Sequence, residues 1–186
     1  AFDLVRVSEG MEDIVGWDPL QEIAGWGNDL AGSIMGGGKK VVDEGIKIVG
    51  GTLQEAINQT LVSAYATIKT DGGWFGSDDY DDKPIELPDD VGRQFALTYE
   101  AIASSVREGA EAIGLLPADV ESALNQFVVD AQTISLEDLD AQEQADELAA
   151  MFGVTFDKLA GEVVPFLTEF QEAGEGMGET LARVAN

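Results

Sequence analysis

From Asp89 to about residue 114, apolar side chains recur at Val91, Phe95, Tyr99, Ile102, Val106 and Ile113. Steps of three and four put them on one stripe of a helix, and Pro88 and Asp89 suit its start. A second short helix is predicted at Pro117, in LLPADVESALNQF. Thr52 precedes LQEAI and reads as the N-cap of another. Two stretches alternate instead: SAYATIKT, and VVDAQTISL, where Val129, Ala131, Thr133 and Ser135 share one face. Strands are therefore expected at about 62–70 and 127–136. LDAQEQADELAAMFGVTFDKLA is a strong helix former as far as Gly153.

The closing stretch carries a different period. Leu159, Val163, Phe166, Phe170, Ala173, Met177, Thr180 and Val184 follow alternating steps of four and three. That is a heptad seam, read either as contact between copies or as one helix packing on its own domain. Pro165 suits a first turn, so this helix is expected to start near residue 164. Gly174, Gly176 and Gly178 fall inside it, each costing about 1 kcal/mol in a helix interior. They read as a hinge that permits close approach or release, or as an early end to the helix.

Residues 1–50 are rich in glycine and small apolar residues. Ile14, Trp17, Ile23, Trp26, Leu30 and Ile34 sit at roughly helical spacing, interrupted by glycines. Such a segment fits either a helix docked on a partner or a membrane-active helix, although it lacks the basic face of interfacial helices. Gly36, Gly37 and Gly38 then form an expected hinge. A phosphate-binding loop fails here, because Ser33 stands where the first glycine belongs and Lys40 where the hydroxyl belongs. Three segments follow: 1–50, helical with its hinge at 36–38; 51–136, a small α+β unit; and 137–186, helical. The fold class expected is mainly α with a small antiparallel β-sheet.

Charge narrows the function. The 186 residues hold 36 acids and 10 bases, a net charge of −26, so specific nucleic-acid binding is not expected. There is no cysteine and no histidine, which removes thiolate chemistry, the commonest general base and the commonest zinc ligand. Acids at Asp78, Asp79, Asp81 and Asp82 do not fit a calcium loop: counting from Asp78, its third position is Tyr80 and its sixth Lys83. No metal, cofactor or enzymatic activity is expected, and the acidic stretch reads as solvated loop. No run of 18 apolar residues occurs. Residue 1 is Ala, and a piece of a longer chain is expected.

Four stretches resemble the C-terminal region of tail tape-measure proteins from long, non-contractile phage tails: IMGGGKKVVDEGI, SAYATIKTDGGWFG, VVDAQTISLEDLDAQEQADELAAMFGVTFDKLA and PFLTEFQEAGEGMGETLARVAN. The likeness covers about residues 30–186. Its most specific part is Phe170, Gln171, Gly174, Glu175, Gly176, Glu179, Thr180, Leu181, Arg183, Val184 and Ala185. The acidic SDDYDDKPIELPDD departs from the pattern and leaves open any contact carried over there. The resemblance implies a structural virion protein at the distal end of the tail lumen that sets tail length, plugs the lumen and leaves during DNA ejection into the host. It implies an elongated homotrimer, with the closing seam as a candidate axis. Implied partners are the distal tail protein and the tail-tip hub proteins, and the host inner membrane and envelope after ejection. Candidate contact residues are Trp74 and Phe75, which read equally as core, with Phe166, Phe170, Met177 and Leu181. The alternative is a pore-forming module that inserts residues 11–35.

Overall fold

A computed structural model describes residues 39–70, 77–85 and 87–186. These residues form a mixed α and β fold with five α-helices and a small antiparallel sheet. The segment 1–38 lies outside the described residues. With it go the expected hinge at Gly36, Gly37 and Gly38 and the positions Ile14, Trp17, Ile23, Trp26, Leu30 and Ile34. The expected contacts Trp74 and Phe75 also lie outside them.

The sheet is built on strand β1 (Lys39–Ile48). This corrects the helical expectation for residues 39–48. Val41, Val42, Ile46 and Ile48 are β-branched and suit an extended backbone. β1 pairs on one side with β3 (Val62–Thr70) and on the other with β6 (Gln132–Ser135). A Cβ on Gly45 would overlap the carbonyl oxygen of Ile134, so only glycine lets β6 come this close. The outer strand β4 (Asp79–Ile85) pairs with β3, giving the order β4-β3-β1-β6. β4 overturns the loop reading of the acidic stretch. Aspartate is a poor strand former, but pairing with β3 overrides propensity. Its residues from Asp79 to Pro84 are exposed, and the proline befits an edge strand that discourages further pairing.

The expected strand at 127–136 is broken. Val128 and Val129 form β5, which pairs with β2 (Gly51–Thr52), and Asp130 and Ala131 separate it from β6. The break shifts the alternation by one residue. Val129 and Ile134 are buried, while Thr133 and Ser135 are exposed.

Helix α1 (Leu53–Ile57) starts at Thr52, whose hydroxyl accepts from the Glu55 N–H while the Glu55 carboxylate accepts from the Thr52 N–H. Helix α2 (Asp89–Ala112) buries Val91, Phe95, Tyr99, Ile102 and Val106 of its predicted stripe and adds Ala110, while Ile113 is the half-buried C-cap beyond its end. Helix α3 covers Pro117–Gln126. Helix α4 runs unbroken from Ala141 to Val163, through Gly153, because burial of Leu148, Phe152, Leu159 and Val163 outweighs the cost of one glycine. The Phe152 ring lies 5.4 Å from both Phe95 and Tyr99. One core joins Ile46 and Ile48 of β1 to Leu181 near the C-terminus, so residues of all three expected segments share it.

The heptad seam is not one helix. Val164, before Pro165, has φ −126° and ψ 73°, outside the helical region, as residues before proline prefer. A short 3-10 helix follows over Pro165–Glu169, then a turn, then helix α5 (Met177–Ala185). α5 packs back on α2 and α4.

Candidate functional site

The residues of the closing motif form a single interlocked turn. Arg183 of α5 donates from Nε to Glu175 Oε1 and from Nη2 to Glu175 Oε2, both at 2.8 Å. Nη2 also donates to the Phe170 carbonyl at 2.6 Å. Glu175 accepts further from the Glu172 N–H at 3.1 Å and from the Thr180 hydroxyl at 2.9 Å. Gln171 donates to the Glu175 carbonyl, and the Gly176 N–H donates to Glu179. Arg183 and these hydrogen bonds hold the Glu175 carboxyl down at about 2.

The glycines thought to weaken a helix are this turn's steric requirement. Gly174 has φ +87°, in the left-handed region. A Cβ on Gly176 would stand 2.6 Å from Asp157 Oδ1, and one on Gly178 would overlap the Phe156 ring. Their smallness brings the start of α5 against α4. There the Gly178 N–H donates to Asp157 at 2.9 Å, and the carboxylate faces the positive end of α5. Burial pushes the Asp157 carboxyl up, against the lowering effect of the Gly178 and Met177 N–H groups.

The four expected contact residues of this region divide into two pairs. Leu181 is buried in the core, where Gly109 of α2 makes room for it. Met177 is half-buried against Gly161. Both face their own domain, because the chain turns back after Pro165. Phe166 and Phe170 face outward, 43% and 51% exposed, with rings 6.5 Å apart and nearly perpendicular. Buried Leu167 anchors the segment between them, and Arg183 holds the Phe170 backbone. The result is a fixed pair of aromatic side chains in water, the type of residue enriched at the centre of protein interfaces.

A second polar cluster ties three strands together. Asp43 of β1 accepts from the Tyr65 hydroxyl of β3 at 2.9 Å and from Ser135 Oγ of β6 at 2.5 Å. Burial, followed by Asp43, raises the Tyr65 hydroxyl above its ordinary range. Burial, with Glu137 and Asp43 nearby, also raises the Glu44 carboxyl. Both hydroxyls donate to the same carboxylate, one to each of its oxygens. Along β4 and just before it the acids are spread out: Asp78 pairs with Lys69, Asp81 with Lys83, and Asp82 accepts from Thr67. Among the described residues no cluster of three or more ligands converges on a metal position, and no helix is long and apolar enough to cross a membrane.

A groove of about 570 Å³ opens between β6 and α4. Alternation in the sequence gave no sign of it, because it depends on β6 being an edge. No known protein family, curated protein sequence or solved structure matches the chain.

Proposed function

We propose that this chain is the tip-side, C-terminal part of a phage tail tape-measure protein, a structural component that anchors the tape at the distal end of the tail lumen. Sequence resemblance is the ground for the family. The single observation that supports an anchoring role is the exposed Phe166–Phe170 pair on a locked turn. An aromatic pair fixed in this way loses little conformational freedom on docking, which favours a protein partner. In this reading the partners are the distal tail protein and the tail-tip hub proteins, the assembly is threefold, and the protein leaves with the DNA. The trimer axis does not use a continuous helix from 159 to 184. An acidic surface of net charge −26 repels DNA passing through the lumen and limits sticking.

The test is tail length. In-frame deletions upstream of residue 1 in the parent gene should shorten tails by about 1.5 Å per deleted residue, measured by electron microscopy. Tails of unchanged length would overturn the reading.

A further inference from the structure

We propose that the groove between β6 and α4 binds an extended, basic segment of a partner protein, which adds to the sheet as a fifth strand beside β6. The argument stands apart from the tape-measure reading and begins with the backbone. The Leu136 N–H donates to the Glu44 carbonyl at 2.8 Å, and Gly45 lies opposite Ser135. In an antiparallel ladder hydrogen-bonded pairs alternate with non-bonded ones. Ile134 and Gln132 therefore bond to β1, while the N–H and C=O of Thr133 and Ser135 point away from it. Among the described residues no other part of the chain takes up these four groups.

They face a wall that suits a guest strand. Glu147, Ala150, Met151 and Val154 stand on one face of α4, at helical spacing, and line the groove opposite β6. An edge strand beside a helix is the arrangement in which extended peptides are held by main-chain hydrogen bonds, with alternate side chains entering the groove. The other edge of the sheet, β4, is guarded by acids and Pro84; β6 has no proline and no charged residue. Val154 is 61% exposed, an apolar side chain left in water beside unpaired backbone.

Charge selects the occupant. The groove carries Glu137 and Glu147 and no base. A second copy would offer its acidic edge strand β4, which meets these glutamates with like charge. The chain's own residues 1–38 hold seven acids and one base, a net −6. Both would approach against repulsion, whereas a partner strand with Lys or Arg between apolar residues is attracted.

The experiment uses the full chain and a fluorescein-labelled, end-capped hexapeptide of alternating Val and Lys. Anisotropy should show saturable binding. A peptide of the same sequence, N-methylated at every residue, keeps the charge but loses the donors, and should bind at least tenfold more weakly. Thr133→Pro removes an N–H that serves no ladder bond and should weaken the first peptide to the same degree without lowering the melting temperature. Should that variant fail to fold, Val154→Lys tests the groove from the helix side with the same expected loss. Equal binding of the two peptides would overturn the proposal, leaving only attraction between opposite charges. Val154→Cys, the sole thiol of that variant, allows photo-crosslinking from the groove. Crosslinks to residues 1–38 or to a second copy would assign the groove to those occupants and equally overturn it.

Discussion

Arg183 grips Glu175 with two parallel hydrogen bonds of 2.8 Å across eight residues of sequence. The pair closes the chain on itself, because the same guanidinium holds the Phe170 carbonyl. Replacing Arg183 with Ala should release the turn but leave the sheet alone. Hydrogen exchange should speed up at the Glu172 and Gly176 amides, while the β1 and β3 amides keep their protection. Unchanged exchange at the turn would show that packing alone holds it.

Gly45→Ala and Gly178→Ala should both destabilise, for different reasons. The first sets a methyl group against backbone, which cannot rotate away, and should cost about 3 kcal/mol or more. The second meets the half-buried Phe156 ring, which has somewhere to go, and should cost about 1–3 kcal/mol. Urea unfolding of each variant gives the two numbers, and the order is the prediction.

Phe166→Ala and Phe170→Ala remove exposed rings and should change stability by no more than about 0.5 kcal/mol. If the pair anchors the protein to the tail tip, each should weaken binding to the distal tail protein or hub by about 2 kcal/mol, roughly 30-fold. Calorimetry with purified partners measures it. Leu181→Ala is the contrast: a buried side chain lost from the core, with about 2–5 kcal/mol of stability lost with it.

Acidity acts in two directions. Asp157 and Glu44 have raised carboxyls, so protonation favours the folded state and stability should rise as pH falls from 7 towards their range. Glu175 has a lowered carboxyl. Its contribution is complete above the ordinary glutamate value of 4.5 and is lost as pH falls from there towards about 2. The melting temperature should therefore pass through a maximum in mild acid, between these two ranges. At neutral pH, added NaCl should raise it by screening the −26 charge. Thermal melts over pH and salt check both statements.

Helices announced themselves where one face alone is buried. Val91 to Val106 of α2 show the period directly, and Thr52 and Glu55 show the cap. β3 alternated enough to be read. β1 did not, because its core-facing Ile46 and Ile48 are separated by Lys47 and preceded by Asp43, Glu44 and Gly45, a run that looks like a turn. β4 was hidden by its acids, which suit an edge strand and look like a loop in one dimension. The closing seam misled for a clearer reason. Of the residues at steps of three and four, Leu159 and Val163 fill the core from α4 and Thr180 is buried on α5, while Phe166 and Phe170 stay exposed on the turn between them; Pro165 with Gly174 decided that geometry. The exposed Phe166 and Phe170 were not separable in one dimension from Met177 and Leu181, which turn inward because the chain doubles back.

Asp43 and Ser135 meet across 92 residues of sequence. During synthesis β1, β3 and β4 are complete once residue 85 has emerged, yet β1 keeps one side bare until β6 is made. The hairpins come early and the last strand late, with two helices threaded between them. For that interval the nascent chain carries an open central strand, and pairing of so distant a partner slows folding. Gly45, which shapes this bare edge to fit β6 closely, lies uncovered until that last strand arrives.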